Sequence, residues 1–66
     1  MTATDVEIRL GEIRKLSKDP EDAHFQEQGL YMCVLEAIRD GECEDPSELA
    51  RLALTAEDID FPRWYA

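Results

Sequence analysis

Apolar positions recur at helical intervals through most of the chain. Val6, Leu10 and Ile13 share one helical face with Ser17, and Leu16 lies at its edge. Thr4-Asp5-Val6-Glu7 has the spacing of a capping box, with Thr4 as N-cap and Glu7 at the third helical position. The pattern predicts a first helix from Asp5 to Ser17. A strand pattern competes here, because Val6, Ile8 and Leu10 alternate with Glu7 and Arg9. Helix accounts for more of the segment and leaves Ile8 pointing away from the core.

Asp19-Pro20-Glu21-Asp22 predicts a second helix start, with Asp19 as cap, proline at the first helical position and two acids at the positive end of the dipole. This helix runs to Asp40, where Gly41 supplies the left-handed stop. Ala23, Leu30, Tyr31, Val34, Ala37 and Ile38 form its main apolar face, widened by Cys33 and Leu35. The opposite side also carries Phe25, Gly29 and Met32 at i, i+4 and i+7. A helix apolar on most sides is central or faces a partner. Asp45-Pro46-Ser47-Glu48 repeats the Asp-Pro start and opens a third helix striped by Leu49, Leu52, Ala53 and Ala56. Thr55 caps a short fourth turn, and Phe61-Pro62 ends regular structure. The expected fold class is all-α: a single domain over residues 1–66, a small bundle of three helices plus a short C-terminal helical turn, with a long central helix two.

Size and charge narrow the function. A chain of 66 residues buries only about 60% of its unfolded surface, which disfavours a deep catalytic cleft. Sixteen acids against seven bases give a net charge of -9. The imbalance is local. Residues 1–18 hold three acids and four bases, and residues 19–66 hold thirteen acids and three bases. Such a surface repels nucleic acid and anionic membranes and attracts basic protein surfaces. No apolar run approaches the roughly 20 residues of a membrane span, and Met1 to Glu12 lacks a signal peptide's apolar core, so the expected location is cytoplasmic.

Candidate chemistry is sparse. Asp40, Glu42, Glu44, Asp45 and Glu48 place five acids in nine residues. As a calcium loop starting at Asp40 they fail, with Asp45 at the glycine position and Arg51 at the final glutamate position. Two readings remain for them: a solvated connector whose acids serve a helix start, or a phosphate-like row that docks on a basic surface. Glu57, Asp58 and Asp60 extend the row if the last segment folds back onto it. His24, the sole histidine, lies on a helix flank as a structural residue. Cys33 fits a core position. Cys43 lies in the connector, where flanking acids disfavour its thiolate. A helix axis separates the two cysteines too far for a disulfide. No metal site, cofactor cradle or nucleophile–base pair is expected. Phe61, Trp64 and Tyr65 crowd the last six residues, either closing the core or anchoring a partner. Trp64 is expected to pack on helix two near Phe25 or Met32.

From Ala23 onward the chain resembles small acidic proteins of bacteriophages and prophages. The residues that carry the likeness are Ala23-His24, Leu30-Tyr31, Val34-Leu35-Glu36-Ala37-Ile38, Pro46, Leu49-Ala50, Ala53-Leu54 and Ile59 through Ala66. Its most specific part is the ending Asp60-Phe61, then Arg63-Trp64-Tyr65-Ala66. The resemblance implies an accessory gene and no particular activity. In size, acidity and helical content the chain is also similar in type to anti-CRISPR proteins, with no motif shared residue by residue. Two functions follow as expectations. The first is a non-enzymatic inhibitor whose acids, Asp40, Glu42, Glu44, Asp45, Glu48, Glu57, Asp58 and Asp60, occupy a basic nucleic-acid-binding surface on a host protein or CRISPR effector complex. The second is an antitoxin-like partner-binding protein or a self-associating homodimer that uses Phe25, Gly29 and Met32.

Overall fold

Helix formation begins two residues earlier than the Thr4-Glu7 spacing suggests. In the computed structural model, which describes residues 1–63, α1 spans Ala3–Lys15. Thr2, not Thr4, is the N-cap. Its hydroxyl accepts from the Asp5 amide at 3.3 Å, and the Asp5 carboxylate accepts from the Thr2 amide at 2.9 Å. Thr2-Ala3-Thr4-Asp5 has the same capping spacing, and placing Ala3 inside the helix costs almost nothing. The backbone amide of Thr2 holds the Asp5 carboxyl below its ordinary pKa. The far end also retreats, with Leu16 and not Ser17 at the boundary. Pro20 restricts the residue before it, so the chain turns first, with the Asp19 amide on the Leu16 carbonyl at 2.8 Å. No strand forms among the described residues, and Ile8 is 57% exposed on a helix.

α2 spans Pro20–Arg39 with Pro20 at its start as expected. Asp19 occupies the N-cap position, yet its side chain makes no capping hydrogen bond. The neighbouring Asp19 carboxyl raises the Asp22 pKa. The C-terminus follows the glycine rule closely. Gly41 sits at φ +67°, the Glu42 amide reaches the Ala37 carbonyl at 2.8 Å, and the Gly41 amide reaches Ile38 at 3.2 Å. This six-to-one, five-to-two pair is a Schellman motif. α3 spans Pro46–Leu54, with the Asp45 carboxylate accepting from the Glu48 amide at 3.1 Å. Thr55 does not cap a new helix. Its hydroxyl donates back to the Leu52 carbonyl at 2.6 Å, and the chain tightens without a break into a 3-10 turn over Thr55–Asp58.

The three helices touch one another in a small bundle, with α2 the longest. Val6, Leu10 and Ile13 meet Ala23, Leu30 and Val34 of α2, and Leu49 and Ala53 of α3. Ala56, Ile59 and Phe61 close the open end. The apolar face of α2 is narrower than its composition implies. Ile38 is partly exposed and Leu35 is 63% exposed. The buried line follows steps of three and four from Ala23 to Ala37, and Leu35 stands one residue, about 100°, off Val34. The place on that line between Ala23 and Leu30 is held by Glu27, a buried carboxylate.

Removing Ile13, fully buried among all three helices, tests the packing. Ile13→Ala should cost about 2–5 kcal/mol in urea denaturation, enough to unfold much of so small a domain at ambient temperature. Ile8→Ala should change stability by no more than about 0.5 kcal/mol.

Candidate partner-binding surfaces

The connector between α2 and α3 builds an acidic pole. Glu42, Glu44 and Asp45 are exposed there beside Gly41. Asp45 faces the amide it caps. Asp40 is paired with Arg39 at 2.8 Å, and Glu48 is paired with Arg51 one helical turn on, so both carboxyls titrate below their ordinary values. The row thus carries less free charge than its five acids suggest, because bases just outside it in sequence fold onto its ends. The Met1 ammonium donates to the Glu42 carbonyl at 2.6 Å, which brings the start of α1 against the pole. Cys43 is half-buried against the core, not exposed, and both cysteines are free. Among the described residues no group of three His, Cys, Asp or Glu side chains converges to hold a metal.

Glu57, Asp58 and Asp60 do not extend this pole. Asp58 and Asp60 border a shallow groove with Arg14 and Ser17, at the end of α1 opposite Thr2 and Ala3, which border the connector. α3 and its 3-10 turn carry the chain away from the connector, so the last segment folds back on the wrong end. The eight acids therefore make two separate surfaces. The exposed Arg14, Lys15 and Lys18 also gather at the Asp58–Asp60 end, which leaves the connector pole the more purely negative of the two.

One ion pair ties the terminal segment down. The Arg63 guanidinium grips the Glu27 carboxylate in a fork, with Nη2 donating to Oε2 at 2.7 Å and Nε to Oε1 at 3.2 Å. The same side chain donates to the carbonyls of Ala56, Ile59 and Phe61 at 2.9, 3.0 and 3.2 Å. It also lies 3.9 Å over the Phe61 ring centre. Glu27 raises the Arg63 pKa. Sequence reasoning missed this contact. The available signal was an acid, Glu27, on the core line of a long helix, together with an arginine beside the aromatic ending. The Tyr31 hydroxyl is buried nearby. Desolvation, then the charges of Glu27 and Glu57, push its pKa up. Phe61 closes the core as expected. Trp64 and Tyr65 lie outside the described residues, and with them the expected seat of Trp64 on α2.

The outer side of α2 is the other candidate. Phe25, Met32 and Leu35 are 64%, 53% and 63% exposed on it, and no described element covers them. Gly29 belongs less to this stripe than its spacing suggests. Arg9 crosses from α1, with Nη1 on the Cys33 sulfur at 3.6 Å and Nη2 3.2 Å from where a Gly29 Cβ would stand. Gly29 thus serves the α1–α2 contact. No helix among the described residues is long and apolar enough to cross a membrane. No protein-family model, curated protein or solved structure matches the chain.

The Glu27–Arg63 pair yields two expectations. Arg63→Ala strands a buried carboxylate and should cost about 3 kcal/mol in urea denaturation, while Arg63→Lys recovers only part because an ammonium cannot reproduce the fork. Tyr31 reports the same pocket at high pH. Its folded pKa lies above the ordinary 10.0. Its contribution to stability is therefore intact below that pH and is lost as pH rises through the folded value. Alkaline melting curves should show this loss diminished in Tyr31→Phe.

Proposed function

We propose that the protein is a non-enzymatic, phage- or prophage-encoded inhibitor that acts in the host cytoplasm by occupying a basic protein surface built for nucleic acid. A CRISPR effector or another host defence complex is the class of target. The observation that carries this reading is the acidic pole: Glu42, Glu44 and Asp45 project from a connector rich in carboxylates, while Arg14, Lys15 and Lys18 stand at the opposite end of α1. A pole of net negative charge steers a basic partner and orients it on arrival. Of the eight acids picked out by spacing, these three are the contacts; Asp40 and Glu48 support them from within their own ion pairs, and Glu57, Asp58 and Asp60 are left out.

A second reading draws on the exposed apolar face of α2. Through Phe25 and Met32 the chain would act as an antitoxin-like or self-assembling subunit that binds protein without using its charge.

Charge reversal separates the two. Glu42→Lys with Glu44→Lys should slow association with the target at least about tenfold at low salt and should remove most of its salt dependence. The helices should survive, because both side chains are exposed. Full inhibition by the double variant, joined to loss of inhibition in Met32→Asp, would transfer the function to the apolar face.

A further inference from the structure

The exposed side of α2 has a regular spacing that its three apolar residues alone do not reveal. Glu21, Phe25, Gln28, Met32, Leu35 and Arg39 follow one another at intervals of four, three, four, three and four. That is the a/d seam of a coiled coil, drawn along one side of a 20-residue helix. All six are exposed. The seam has an apolar middle and a charged residue at each end, negative near the N-terminus and positive near the C-terminus.

We infer that this seam pairs with the same seam of a second copy, with the two α2 helices antiparallel. The inference deepens the apolar-face reading and rests on it. A two-fold axis level with residue 30 sets Phe25 against Leu35 of the second copy and Gln28 against its Met32. In both cases an a position meets a d position, which is the pairing an antiparallel coiled coil requires. The same axis sets Glu21 against Arg39 of the second copy, and Arg39 against its Glu21. The charges decide the direction. A parallel pair in register would stack Glu21 on Glu21 and Arg39 on Arg39, whereas the antiparallel pair matches opposite charges at both ends. Arg39 leaves little behind when it turns to the second copy, because its pair with Asp40 is exposed on both sides. Glu27 and Arg63 stay within each copy, so pairing leaves the terminal fastening untouched. The antiparallel arrangement sends the two connector poles to opposite ends, at least about 30 Å apart along the paired helices.

Sedimentation equilibrium on the whole chain, from about 10 µM to about 1 mM, tests this. The short seam predicts weak, reversible dimers, and salt should tighten them, since each copy carries a net charge of -9. Docking through the acidic pole has the opposite salt dependence. Met32→Asp should give a monomer whose melting temperature in dilute solution matches the parent, because Met32 is not part of the core. Glu21→Arg and Arg39→Glu should each weaken self-association, and an equimolar mixture of the two should restore it. A parent chain that stays monomeric throughout the range overturns the proposal, even if Met32→Asp proves to block binding of some other protein. Dimers that persist in Met32→Asp overturn it as well. So do dimers unaffected by either single charge reversal, which would indicate another face or a parallel pair.

Discussion

Glu27 is the residue around which the terminal third of the chain is arranged. It stands on the line of α2 that otherwise carries Ala23, Leu30, Val34 and Ala37 into the core. A lone carboxylate there would lose its hydration with nothing in return. Arg63 removes the difficulty by supplying a forked ion pair. Its remaining donors take up the carbonyls of Ala56, within the 3-10 turn, and of Ile59 and Phe61 beyond it. One guanidinium thus neutralises the buried acid, satisfies the irregular backbone and covers the Phe61 ring. Charged and apolar fastening coincide, so Phe61 sits in the core only while the turn before it holds its shape.

That arrangement frees the rest of the surface. The buried apolar residues come three from α1, four from α2, two from α3 and three from the segment after it. With Arg63 fastened across Glu27, no described segment is left to cover the outer side of α2. Phe25, Met32 and Leu35 remain in solvent although a chain of this size has few large apolar residues to leave idle. The same geometry separates the acids. α3 starts beside the N-terminus of α1 and ends beside its C-terminus, so the carboxylates before and after it cannot form one row. Two separate acidic surfaces and one exposed apolar face result.

Local signals were legible where one residue type has one dominant physical role. Gly41 stopped α2 because a left-handed residue follows the helix, and Asp45-Pro46 opened α3 because a short carboxylate and a fixed φ both suit a helix start. Where two local solutions were nearly equivalent, spacing misled. Thr2 and Thr4 both precede an acid by three residues, and Asp19 resembled Asp45 in sequence yet makes no capping hydrogen bond. Thr55 resembled a cap but donates to a carbonyl behind it. These choices depend on which neighbour a side chain meets, and a preference averaged over contexts does not record that.

The sequence by itself determined the all-helical class, the order and approximate extent of the helices, the core faces of α1 and α3 and the outward position of Ile8. All of these follow from periodicity and punctuation, which act within a few residues. Tertiary structure alone decided that Glu27 and Arg63 meet across 36 positions, that Arg39 and Arg51 temper the connector, that Arg9 roofs Gly29, and that Asp58 and Asp60 lie far from Glu42. Each depends on the direction in which one helix crosses another. That direction is set by the packing of the whole core, which no stretch of neighbouring residues contains.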